Sequence, residues 1–392
     1  MKIVDITEFY SERGGGVRSH LTTKGHVLCQ LGHSTVVVAP GPRDTDTTLA
    51  KGPGLARVVR VAGAALPYDP TYHLLARLDK VRGLVQQEHP DIVEVHSPYL
   101  AMAGALALPR HSFGARTFFW HADFIDTYLR VAALRLLPRL LPERAVDAAL
   151  RPVWLGVRAL LSACDATFVA GKAQAEKLRA LGVPNVHLVP FGVDTATFHP
   201  EARDVARRRE LLAGAPDSAS VVVGVGRFAV EKRWDIVLDA FERLTAHRQA
   251  VLVLFGDGPE RKALEERASR LQHVHFAGFE KDRERLASAL ASADLLVHGC
   301  PYETFGLGVA EAVACGVPVV VPDQGGACES VDPSTSVVYA SLQSDACAAA
   351  MESLLCRHPG QLHSAAVLVA KDVRRVQDHF AEVLSVYQTL LR

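Results

Sequence analysis

His298-Gly-Cys-Pro-Tyr-Glu303-Thr-Phe-Gly-Leu-Gly-Val-Ala-Glu311-Ala-Val-Ala-Cys-Gly316-Val-Pro-Val-Val-Val321 is the stretch on which the reading of this chain turns. Just before it, Ala293 to Val297 is a short apolar run that reads as a buried strand. Gly299 to Gly306 is a loop rich in Gly and Pro, and Leu307 to Cys315 reads as a helix. Gly316 suits a left-handed cap, with Pro318 beyond it, and Val317 to Val321 is the next buried strand. The result is a strand–loop–helix–strand unit whose loop lies at the strand's C-terminal end, where open α/β sheets take ligands.

Glu311 is out of place in that helix. Leu307, Val309, Ala310, Ala312, Val313 and Ala314 surround it, so the helix is apolar nearly all round and is expected to be buried. A buried carboxylate is costly unless something donates to it. Two readings follow: a salt bridge to a core Arg, or a carboxylate that faces a cleft and accepts from ligand hydroxyls such as those of a ribose. Glu303, ahead of the helix, can reach the same cleft. The backbone N–H groups of Thr304, Phe305 and Gly306 stand at the helix N-terminus, a position suited to phosphate.

The Glu-x7-Glu spacing, with its flanks Pro-Tyr-Glu-Thr-Phe-Gly-Leu and Gly-Val-Pro-Val-Val, resembles the signature of retaining, nucleotide-sugar-dependent glycosyltransferases of family four. The resemblance implies the GT-B fold: an α/β chain with two Rossmann-like βαβ domains facing across a cleft and a C-terminal helix crossing back to the first domain. It also implies that Glu303 contacts the donor sugar, that Glu311 holds the nucleotide ribose, and that Leu307 lines the donor site beside Gly306.

The chain has 392 residues, which predicts two domains. Apolar residues make up 49% and charged residues 22%, with 43 basic and 43 acidic side chains in balance. That composition describes a globular protein with ample core and gives no support to nucleic-acid binding. Seven cysteines without a C-x-x-C pattern suggest a reducing compartment, with neither a disulfide framework nor a zinc site. No signal-like segment precedes Lys2 to Ile6, and no run reaches the length of a membrane span, so the expectation is a cytoplasmic protein, either free or held at the cytosolic face of a membrane.

Lys2 to Ile6, Val17 to Leu31 and Thr35 to Ala39 read as an opening β–α–β unit. Gly14-Gly15-Gly16 lies between its first two elements and lacks the G-x-G-x-x-G dinucleotide pattern, which argues against a nicotinamide oxidoreductase. It is either a plain turn or a place where backbone approaches a ligand. The resemblance implies that Gly15 and Gly16 face the donor phosphates and the acceptor, with Arg18 a helper. Val58 to Val61 and Asp91 to His96 read as strands, and a helix is expected near Thr71 to Glu88. Thr117 to Asp123 ends a further strand with His121 and Asp123 at its rim. On pattern alone His121 reads as a capped core histidine. The resemblance instead places it against the donor hexose, with Asp123 a looser match.

From Tyr128 to Leu161, Arg130, Arg135, Arg139, Arg144, Arg151 and Arg158 alternate with apolar residues and Trp154. Pro138, Pro142 and Pro152 are expected to break this segment into short helices. It is either a basic amphipathic surface resting on anionic lipid or a pair of ordinary surface helices. Pro190 to Pro200 reads as the inter-domain linker. The expected domains are 1–193 for the acceptor, 194–375 for the nucleotide-sugar donor, and a returning helix over 376–392.

The second domain restarts the βα pattern with Val221 to Gly226, followed by Arg227 and Lys232 around a strand–loop–helix corner. The resemblance implies that this pair neutralises the leaving diphosphate, that Gly256 lets backbone meet the nucleotide, and that Phe279 contacts the base. Asp323-Gln-Gly325-Gly326 is a further Gly-rich loop expected to face the cleft. No Asp-x-Asp pattern stands beside a cleft-facing strand, and the resemblance implies no cofactor and no metal. The expected activity is transfer of a hexose from a UDP- or GDP-sugar to a hydroxyl acceptor, glycolipid or glycan, with retention. Two alternatives stand beside it: a nucleotide-sugar 2-epimerase, which needs no acceptor, and an inactive nucleotide-sugar-binding regulator, which binds donor without turnover.

Overall fold

The computed structural model describes residues 1–11, 15–67, 69–130 and 143–392. The chain forms two compact units, residues 1–190 with 377–392 and residues 191–376. In each, apolar β-branched runs make a mainly parallel sheet buried on both faces, as expected when crossover helices cover the strands.

The first unit carries β1 (Lys2–Ile6), β2 (Ser34–Gly41), β3 (Thr45–Lys51), β4 (Leu55–Ala62), β5 (Ile92–Val95), β6 (Ala115–Trp120), β7 (Ala166–Val169) and β8 (Val186–Leu188). Their spatial order is β3-β4-β2-β1-β5-β6-β7-β8. Val4 pairs with Val36 on one side and Val93 on the other, both parallel. The order reverses between β1 and β5, so their C-terminal ends form the crevice where such sheets bind ligands. β3 is antiparallel to β4 and was not expected; its Thr-Asp-Thr-Thr run is polar because it lies mostly exposed at the sheet edge. The second helix begins at Leu78 rather than near Thr71, because Leu66 and Tyr72 close a turn and Ala65 bridges His73.

The expected break at Pro152 is absent. Glu143–Ser162 is a single helix that runs through it, with Val146, Val157 and Leu161 anchoring its inner face in the core. Packing of that face outweighs the one backbone bond a proline removes. Pro138, Pro142, Arg135 and Arg139 lie outside the described residues. The last helix, Val376–Leu390, packs in the first unit through Phe380, Val383, Leu384 and Tyr387.

The second unit carries β9 (Ser220–Val225), β10 (Ala250–Phe255), β11 (Val274–Gly278), β12 (Leu295–Val297), β13 (Val319–Pro322) and β14 (Ser336–Tyr339). The order is β11-β10-β9-β12-β13-β14, every pairing parallel, with the reversal between β9 and β12. The loops after β9 and β12 are those that hold Arg227, Lys232 and Glu303.

Candidate active site

In the second unit, the loop after β9 turns through a short 3-10 segment, Val230–Lys232, and enters the helix Trp234–Thr245. Trp234 Nε1 donates to the Arg227 carbonyl at 2.9 Å, which ties the start of the loop to the start of the helix. Lys232 and Glu303 form an ion pair across the two loops, each side chain about one-fifth exposed. Burial alone would raise the Glu303 carboxyl, but the Lys232 charge and hydrogen bond, with His298, hold it below the ordinary range. Burial likewise opposes the Lys232 ammonium, and Glu303 keeps it raised.

His298 sits at the end of β12 with Nε2 3.7 Å from Glu303 Oε1. Its backbone is fixed from both sides: its N–H donates to the Val320 carbonyl at 2.9 Å, and the Tyr339 hydroxyl donates to its carbonyl at 2.9 Å. Burial drives its pKa down to about 4, so the imidazole is neutral at pH 7. Its Nε2 is buried and takes no partner among the described residues. Sequence reading did not single out His298; a lone imidazole closing the apolar run Leu295 to Val297 was the available signal.

Glu311 lies in the buried helix Leu307–Ala314 and pairs with Arg283 Nη2 at 2.5 Å. The salt-bridge reading of this residue is therefore realised, with an Arg that is itself half exposed. Burial raises the Glu311 carboxyl, and the Arg283 charge pulls it back only in part. Gly306 caps this helix at φ 86°, and a Cβ there would press on Ala327 at 2.9 Å. The Gly326 N–H donates to the Glu303 carbonyl at 2.6 Å, so the Gly325–Gly326 turn braces the loop that carries Thr304 and Phe305. Phe305 is buried edge-on against Phe191. Gly256, at φ 153°, has no room for a side chain, because a Cβ would lie 1.9 Å from the Gly226 carbonyl oxygen. Phe279 is exposed and follows Gly278 at the end of β11.

In the first unit, His121 follows β6 and stacks on Phe119 at 4.6 Å. His121 Nε2 lies 2.8 Å from His96 Nδ1, and His96 Nε2 lies 2.9 Å from Asp5 Oδ1. Burial, then the His96 and Lys24 charges, depress the His121 pKa well below the usual imidazole range. Lys24, fully buried, donates to Asp5 at 2.6 Å, Glu94 at 2.8 Å and the Tyr387 hydroxyl at 3.0 Å. Asp5, Glu94 and His96 have the donor set of a metal site, but the Lys24 ammonium already supplies their cation. Asp123 is held by Lys177, which also reaches Asp126 at 2.6 Å and lies 4.1 Å over the Trp154 ring. Gly15 has φ 121°, whereas a Cβ on Gly16 would meet nothing within 4 Å. Gly14 lies outside the described residues. Arg18 Nη1 donates to the Ser11 carbonyl at 2.9 Å.

Two family models match the chain: "Glycosyltransferase Family 4" over residues 14–197 and "Glycosyl transferases group 1" over residues 213–363. A GDP-mannose-dependent alpha-(1-6)-phosphatidylinositol dimannoside mannosyltransferase of Mycobacterium tuberculosis is 34% identical over 324 residues, 82% of this chain and 79% of that protein. A GDP-mannose-dependent alpha-mannosyltransferase of Corynebacterium glutamicum is 29% identical over 83% of this chain and 73% of that one. Among solved structures, sucrose-phosphate synthase from Thermosynechococcus elongatus superposes with a TM-score of 0.80 at 20% identity, covering 100% of this chain and 99% of that one. Anabaena HepE, solved with UDP and glucose, gives 0.72 at 16%, covering 99% and 100%. The chain belongs to the group 1, family 4 glycosyltransferases: it is a nucleotide-sugar-using enzyme of the GT-B fold.

Proposed function

We propose that this enzyme transfers mannose from GDP-mannose to a hydroxyl of a lipid-linked glycan, with retention at the anomeric carbon. The observation that supports the reaction class is the Lys232–Glu303 pair at the switch point of the second sheet; in this reading Glu303 is the carboxylate that takes the sugar. The choice of GDP-mannose rests on the mannosyltransferase relatives, and the lipid acceptor on the phosphatidylinositol dimannoside in the name of one of them.

Departure of a nucleoside diphosphate needs positive charge where negative charge develops. Lys232, Arg227 and the backbone N–H groups entering the helix Leu307–Ala314 supply it in this reading, with no metal ion required. Glu303 orients sugar hydroxyls, Glu311 the ribose, Gly256 and Phe279 the nucleotide. From the first unit, His121 and the Gly15–Gly16 turn serve the sugar and its acceptor.

Membrane contact is part of the proposal. The helix Glu143–Ser162 turns Arg144, Arg151 and Arg158 outward at seven-residue spacing, with Leu155 exposed on the same face. Trp154 does not belong to that face; it packs at 6.2 Å from Trp120 and under Lys177. Among the described residues no helix is long and apolar enough to cross a membrane, so contact through this surface would be peripheral.

The test is a donor panel of GDP-mannose, UDP-glucose, UDP-galactose and UDP-N-acetylglucosamine with a lipid extract, with and without EDTA. Lipid-stimulated GDP release from GDP-mannose, unchanged by EDTA and giving an α-linked product, is expected. Turnover of a UDP-sugar alone, or a β-linked product, would overturn the assignment.

A further inference from the structure

Arg283 is the first residue of the helix Arg283–Ala291, a position where the helix dipole disfavours a cation. Local helix chemistry therefore does not explain an arginine there. Its guanidinium instead lies 4.6 Å over the buried Phe198 ring and reaches into the next helix to bond Glu311 Oε1 at 2.5 Å. The Arg283 side chain is 47% exposed, the Glu311 side chain 6%. The arginine end of the pair is thus open to solvent, while the carboxylate end, on the buried helix Leu307–Ala314, keeps only a narrow exposed edge. Among the described residues only Oε1 of the carboxylate is engaged, so Oε2 is left for a ligand.

We propose that Arg283 is a positioning residue for nucleotide binding: it keeps Glu311 ionised and oriented so that the carboxylate accepts from both ribose hydroxyls. This rests on the reading of Glu311 as the ribose ligand. A neutral carboxyl in the same place would have to donate its own proton and would accept one charge-assisted bond fewer. The charged and titratable groups that act on Glu311 are few. Arg283 favours the carboxylate, Asp194, from the segment after β8, disfavours it, and Cys315, capping the C-terminus of the same helix, has its thiol pushed up by burial and by Glu311. Burial already raises the Glu311 carboxyl with Arg283 in place, so removing the guanidinium raises it further. Arg283 is not a plug on this account. Its Phe198 seat holds the guanidinium to one side, and it stays paired when the ribose arrives.

GDP affinity is measured by titration calorimetry from pH 5.5 to 8.5 for the wild type, Arg283→Gln, Arg283→Lys and Glu311→Gln. Glu311→Gln has no carboxyl to titrate, so it supplies the baseline from the nucleotide's own phosphate. Arg283→Gln should bind GDP about tenfold more weakly at pH 7. Its affinity should climb back toward wild type as pH rises, because the acid limb has moved up. Arg283→Lys, which keeps the charge, should retain the wild-type profile. Wild-type or tighter binding by Arg283→Gln at every pH, or a loss independent of pH, overturns the proposal. If Glu311→Gln itself binds GDP as the wild type does, the ribose reading fails. A weak Glu311→Gln beside an unaffected Arg283→Gln sinks the role of Arg283 alone.

Discussion

Replacing Lys232 by Met removes the cation from a pair in which each side chain is about one-fifth exposed. Glu303 then loses its cation and is left beside the neutral His298 ring, whose Nε2 is 3.7 Å away. Breaking a fully buried pair costs roughly 3–5 kcal/mol, and the partial exposure here reduces that to about 2–3 kcal/mol. The signs with pH follow from the shifts. Glu303 is held below its ordinary 4.5, so its contribution is present above that range and is lost as pH falls through the folded value. Lys232 is raised above 10.5, so its share is present below 10.5 and is lost only above it. At pH 7 the full cost is therefore expected in urea denaturation of Lys232→Met. The companion Glu303→Gln leaves a buried ammonium facing an amide and should also destabilise. The double variant, neutral on both sides, should recover stability to within about 1 kcal/mol of wild type. Turnover should behave differently. If Lys232 faces the departing diphosphate as proposed, its loss should lower kcat on the order of 10²–10³-fold, and the double variant should not regain it. Additive stability effects, or an active Lys232→Met, would refute the reasoning.

Other expectations follow from single observations. His298 titrates at about 4 against an unfolded 6.5, so the unfolded chain binds the extra proton between those values and stability falls as pH drops from 6.5 to about 4. That amounts to roughly 3 kcal/mol, and His298→Asn should flatten this limb in acid denaturation. Gly256→Ala should destabilise by at least about 2 kcal/mol, read by urea unfolding, since its Cβ would strike the Gly226 carbonyl at a φ of 153°. Replacing Lys24 by Met leaves Asp5 and Glu94 facing each other without their cation. It should cost about 3–5 kcal/mol or abolish folding, checked by thermal unfolding. Gln at Arg144, Arg151 and Arg158 should weaken binding to anionic vesicles by about 1 kcal/mol per residue in a sedimentation assay, and leave binding to neutral vesicles unchanged.

Much of this was legible because the signals are local. Apolar β-branched runs predict β1, β9 and β13 to within two residues, and the cap at Gly316, φ 69°, follows from Gly ahead of a proline. The loop that presents Glu303 was legible from its own residues and flanks. What was hidden depends on partners far apart in sequence. Arg283 meets Glu311 across 28 positions, and Lys24 meets Tyr387 across 363. A lysine inside an amphipathic helix reads as solvent-facing, and nothing local says that two strand carboxylates wait for it. β3 was missed because an edge strand with an exposed face has no apolar alternation to announce it. Pro152 misled because tertiary packing of the Glu143–Ser162 helix overrides a local rule.

The most direct test of the account is one incubation: radiolabelled GDP-mannose with the purified protein and a lipid extract, scored as label in the organic phase, with Glu303→Gln run alongside. The account predicts label transfer by the wild type and a loss of at least about a hundredfold in the variant. Equal transfer by both proteins would contradict a role for Glu303 at the reacting sugar, and no transfer by the wild type from GDP-mannose would contradict the proposed donor.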